Sequence, residues 1–138
     1  KVLLQLGDND NLLEGKIPYA LSCESAKKLG EKVSQYQNST YIGYLDEFIF
    51  IFDSRYTGKP MEDPKAKPFM EASNQVMLSL IKGHTAEESS IKSKNKFWEH
   101  FIKLSSSTAD PDATQAMQFL RWNMMHQVCL GEKSASIK

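Results

Sequence analysis

The chain has 138 residues, 41% of them apolar and 25% charged, a globular balance that excludes a disordered or fibrous protein. Seventeen basic residues offset seventeen acidic ones, and this zero net charge argues against nucleic acid or an anionic membrane as the main partner. Two distant cysteines, Cys23 and Cys129, are too few for a disulfide framework, which favours a reducing, cytoplasmic setting.

Residues 1–138 are expected to form a single globular domain with a frayed tail at 132–138. The chain opens at Lys1 rather than methionine, which leaves a removed targeting segment open. No apolar run approaches the roughly 20 residues that span a bilayer.

In chain order, Val2 to Leu6 is a short apolar run, an edge strand or a first helical turn, closed by a polar loop at 7–11. Leu21, Ala26, Leu29, Val33 and Tyr36 make a loose apolar stripe that predicts a helix over about 19–36. Asn38-Ser39-Thr40 matches a glycosylation acceptor, a triplet that arises often by chance.

From Thr40 to Tyr56 two patterns compete. As a helix, Tyr41, Tyr44, Leu45, Phe48, Ile49, Phe52 and Tyr56 share one face, and Gly58 with Pro60 ends it. As a hairpin, 41–44 and 48–52 are β-prone runs around a turn that lacks the usual glycine or asparagine. The helix is preferred.

Pro60, Pro64 and Pro68 predict a loop from Thr57 to about Lys67. A helix follows over 69–82, stopped by Gly83. Thr85-Ala86-Glu87-Glu88 has the form of a capping box, opening a helix to about Leu104 that should bury Ile91, Trp98, Phe101 and Ile102. Asp110-Pro111 starts a last helix, expected to reach Leu130 and stop at Gly131. The expected fold is all-α, about five helices in a compact bundle. The alternative is α+β, with a small antiparallel hairpin at 41–52 and an N-terminal edge strand.

The last helix carries the most information. Met117, Leu120, Met124 and Val128 form a core stripe, yet Phe119, Trp122, Met125, Cys129 and Leu130 extend the apolar surface around much of the circumference. Such a helix is either central to its domain or shared with a partner. Methionines beside large aromatics suit an adaptable binding groove.

Motifs for chemistry fail one by one. His126 and Cys129 share a helical face, but no second ligand pair of comparable spacing completes a zinc site. As a same-helix neighbour His126 would point alongside Cys129, not at a shared substrate. Glu99-His100 lacks the Glu-x-x-His spacing of bundle di-metal sites. Asp8-Asn9-Asp10-Asn11 begins like a calcium loop, but Leu13 stands where its glycine belongs. Gly15-Lys16 and Gly58-Lys59 lack the rest of a phosphate-binding loop. Lys92, Lys94, Lys96 and Lys103 are spread around their helix, as on a solvated face, rather than gathered with Trp98 into a nucleic-acid patch.

The expected function is therefore that of a non-enzymatic helical adaptor or chaperone-like subunit. It would bind a partner protein's helix or peptide, or a second copy of itself, through an apolar Met/aromatic groove. Phe119, Trp122, Met125, Cys129 and Phe50 are the candidate partner-binding residues, with Trp122 and Met125 as anchors. No catalytic residue, metal ligand or cofactor is expected. The alternative is a small-ligand or haem-type cofactor binder, with His100 or His126 as axial ligand.

Overall fold

A computed structural model describes residues 7–21, 24–106 and 112–137. The fold is mainly helical, with one small antiparallel strand pair. The expected N-terminal edge strand at 2–6, Cys23 and the Asp110-Pro111 helix start lie outside the described residues.

Asp10 heads a short 3-10 turn, Asp10–Leu13, and is buried there. Its carboxylate accepts the Gly7 N–H at 3.0 Å and the Tyr36 hydroxyl at 3.1 Å. The helix expected over 19–36 is much shorter: a π-helical turn, Ala26–Gly30, leads into α1, Glu31–Val33. Upstream, Pro18 withholds a backbone donor, and the chain runs extended along the next strand instead. Ile42 N–H donates to Pro18 O and Ala20 N–H to Ile42 O, both at 3.0 Å. Gly30 lets the helical backbone approach Tyr41, whose ring would lie 2.7 Å from an added Cβ.

The helix preferred for Thr40–Tyr56 is corrected. Residues Thr40–Tyr44 form β1, buried at every position, which suits a strand covered on both faces. Its partner is not 48–52, as a hairpin at 41–52 would require, but β2, Gln127–Gly131. The two pair antiparallel from Thr40 opposite Gly131 to Tyr44 opposite Gln127. Residues 45–53 then run without regular structure beside the last helix. There Asn123 binds the Ile49 peptide at both ends, accepting its N–H at 2.9 Å and donating to its carbonyl at 2.6 Å.

The proline-rich stretch holds two 3-10 turns, Ser54–Tyr56 and Pro60–Glu62. Two aspartates organise it. Asp63 accepts backbone N–H groups from Asp53, Lys65 and Ala66, and Asp53 takes a bidentate grip on the Arg55 guanidinium. These bonds hold both carboxyls below the ordinary carboxylate range, Asp53 at about 2.

Helix α2, Lys67–Ile81, stops where predicted, with Gly83 at φ 92°. Helix α3, Ala86–Ser105, opens on the predicted capping box: Glu88 N–H donates to Thr85 Oγ1 at 3.2 Å and Thr85 N–H to Glu88 Oε2 at 3.0 Å. Its buried face is not the expected one. Ala86, Ser89, Ser90, Ser93 and Phe97 face inward, while Ile91, Trp98 and Ile102 are exposed. Small serines let α3 approach α2 closely, and each hydroxyl finds a partner; Ser93 Oγ donates to the Ala72 carbonyl at 2.6 Å.

Helix α4, Ala113–His126, ends four residues earlier than expected. Gln127 turns extended (ψ 130°), so Val128, Cys129 and Leu130 belong to β2 rather than to the helix. Gly131, at φ 94°, closes the strand.

Residues 132–137, expected to fray, lie against the start of α3. The Lys133 and Ala135 carbonyls accept the Glu87 and Ala86 N–H groups at 3.0 and 2.8 Å. A helix start leaves its first N–H groups without intrahelical partners, and this segment supplies two.

The apolar interior falls into three clusters. One joins β1 to α2 and α3 through Ile42, Val76, Leu80 and Ala86. A second joins α2, α3 and α4 through Phe69, Ala72, Phe97 and Leu120. The third packs Ala26, Val33 and Tyr41. Between them runs a buried polar chain. Gln127 accepts from Ser90 and donates to Ser93 and Tyr44, and the Tyr44 hydroxyl meets that of Tyr19 at 3.0 Å. Among the described residues no helix is long and apolar enough to cross a membrane.

Candidate functional site

The site of most interest is the outward seam between α3 and α4. Burying Ala113, Leu120 and Asn123 turns Thr114, Gln118, Arg121, Trp122 and Met125 of α4 to the surface. With Phe101 and Met117 they line an open groove of about 370 Å³. Trp122 is 36% and Met125 59% exposed, so the two expected anchors are accessible and lie in one groove.

Trp122 is fixed from two sides. Its indole N–H donates to the Glu47 carbonyl at 2.9 Å, and its ring lies 4.1 Å from the His126 ring. The His126 Nδ1 is 2.7 Å from the Trp122 carbonyl, which can only accept, so Nδ1 carries a proton. The rim on the α3 side is equally ordered: Trp98 stacks on Phe101 with centroids 5.0 Å apart and planes 9° from parallel. A pre-formed aromatic wall spends little conformational entropy when it is covered.

The other candidates go elsewhere. Phe119 packs inward on the Phe97–Leu120 cluster. Cys129 sits on β2, half-buried against the Ile42–Leu80 cluster, and burial pushes its thiol up to about 11. A thiol so protonated near neutral pH is a poor nucleophile. It also stands on a different element from His126, so the two do not share a helical face.

Phe50 belongs to a second groove of about 450 Å³, together with Phe52, Tyr56 and Met61. The segment expected to build one groove with the last helix thus serves two. Its Glu47 carbonyl steadies Trp122, while Phe50 and Phe52 face another opening.

The His100 side chain is mostly buried on α3. Its Nε2 is sealed from solvent, 3.1 Å from Glu71 Oε2 but poorly aligned for a hydrogen bond. Desolvation lowers its pKa and favours the neutral ring. No three His, Cys, Asp or Glu side chains among the described residues gather closely enough to hold a metal ion.

Phe101, Thr114, Met117, Gln118 and Arg121 are the groove residues that sequence reasoning missed. Phe101, with Trp98 stacked on it, was missed because α3 was given the wrong buried face, and Met117 because it was placed in the core stripe. The three-residue spacing of Trp98 and Phe101 and the lone arginine of an apolar helix were the available signals.

The fold and the seam define a mainly helical protein with an exposed aromatic–methionine groove. No family model, curated protein or solved structure matches this chain.

Proposed function

We propose that this protein is a non-enzymatic helical adaptor or chaperone-like subunit that binds a helix or peptide of a partner protein in the α3–α4 groove. One observation carries the reading. Phe101, Met117, Trp122 and Met125 line a single open groove, with Trp122 pinned by Glu47 and Phe101 by stacking on Trp98. A rigid aromatic beside mobile thioethers gives both an anchor and tolerance for side chains of different shape. Burying the groove would recover about 25 cal/mol for each Å² of apolar surface removed from water.

The reading is tested by comparing capture from the native extract by the wild type and by Met125→Glu. Met125 is mostly in solvent, so the substitution should leave helical content and melting unchanged. Proteins retained by the wild type and lost by the variant are the expected result. An identical set on both would sink it.

A further inference from the structure

The apolar surface continues beyond the groove along α3. Ile91, Trp98 and Ile102 lie at i, i+7 and i+11, one face of the helix, and each is about half exposed. Trp98 stacks on Phe101, which lines the groove, so Trp98 adjoins it, whereas Ile91 lines a separate opening with Lys94 and Leu130. Along α4 the groove lining runs from Thr114 to Met125, about 16 Å at 1.5 Å per residue, the length of three helical turns. A compact ligand would cover one end of it. A second helix laid along the seam would cover all of it.

The charges along this seam are unbalanced. Glu99 is held by Lys96 at 3.4 Å and Lys103 at 3.5 Å, and Asp112 is held by Lys65 at 2.7 Å. Arg121, by contrast, lines the groove between Met117 and Met125 and forms no ion pair among the described residues. An apolar segment covering the groove would strip water from that guanidinium. Covering a cation is costly unless the partner supplies an anion. Arginine's planar fork takes a carboxylate through two parallel hydrogen bonds.

We infer that the partner is an amphipathic helix of about three turns whose apolar face carries, at its edge, a glutamate or aspartate that pairs with Arg121. This rests on the groove being a protein-binding site and specifies the chemistry of what binds there.

The test uses three fluorescein-labelled 18-residue amphipathic peptides with the same leucine stripe, flanked by glutamate, glutamine or lysine. Each is titrated by anisotropy against the wild type, Arg121→Gln and Arg121→Glu. Arg121 is exposed and bonded to nothing described, so both variants should fold, as circular dichroism would verify.

The glutamate peptide should bind the wild type about tenfold more tightly than the glutamine peptide at low salt, less so as salt screens the pair. Arg121→Gln should abolish that preference, and Arg121→Glu should transfer it to the lysine peptide. Equal binding of all three, indifferent to Arg121, would overturn the inference and leave the groove a protein-binding site. If no peptide binds, or laurate binds in their place, both readings fall. A wild-type dimer that Met125→Glu dissociates would identify a second copy as the occupant and overturn the inference.

Discussion

Asn123 does for the groove what a strand would ordinarily do. Its amide is the same size and polarity as a peptide group, and it closes a two-point pairing with Ile49. That pairing holds residues 45–53 against α4 and so presents the Glu47 carbonyl to the Trp122 indole. Asn123 itself is wholly buried, which raises the cost of any vacancy. Replacing Asn123 with alanine leaves the Ile49 N–H and carbonyl without these partners in a poorly hydrated place. The expected loss is about 1–3 kcal/mol of stability, with a red shift in tryptophan emission as Trp122 gains freedom. Urea unfolding followed by fluorescence reads both. A loss below about 0.5 kcal/mol with unchanged emission, within the range of an ordinary surface change, would mean that the segment is held elsewhere.

Among the elements, α3 is the most instructive. Its start is held twice, by the Thr85–Glu88 box and by the Lys133 and Ala135 carbonyls. Removing the threonine hydroxyl alone should therefore cost near the lower end of the usual range for a helix cap, about 0.5–1 kcal/mol. Thr85→Ala measured against Thr85→Ser in urea isolates the hydroxyl, because serine keeps the acceptor. A loss near 2 kcal/mol, the top of that range, would show that the 132–137 segment does not share the load.

The stop of α2 and the start of α3 were legible because caps are local: Gly83, Thr85 and Glu88 act within a few residues of one another. The buried face of α3 was not. Apolar periodicity pointed Ile91, Trp98 and Ile102 inward, but Ser89, Ser90 and Ser93 won the interior because they admit α2 and satisfy their own hydroxyls. The end of α4 failed for a related reason. Val128, Cys129 and Leu130 continue an apolar helix in the sequence, and only β1, more than eighty residues away, offers the ladder that draws them into a strand. Trp122 and Met125 were found because α4 carries more apolar side chains than its own core needs. Phe101 was not, since its exposure follows from the face α3 chose.

At the scale of the whole molecule, that distant strand pair decides whether the chain behaves as one unit. β1 and β2 tie residues 40–44 to residues 127–131, and Ile42, opposite Cys129, packs on Val76, Leu80 and Ala86 of α2 and α3. One fully buried side chain thus touches the strand pair and the helical hairpin together. Truncating it in Ile42→Ala should cost about 2–5 kcal/mol, the usual range for removing that much buried hydrocarbon. The more telling readout is how the loss is distributed. Tryptophan emission follows Trp98 and Trp122 on α3 and α4, whereas the far-ultraviolet signal follows all the helices. If the elements share one cooperative core, both transitions move to lower urea by the same amount and remain superimposed. A variant whose tryptophan transition stayed in place while its helical signal fell would divide the molecule. The α3–α4 seam would then be a stable platform in its own right, and the strand pair an attachment to it.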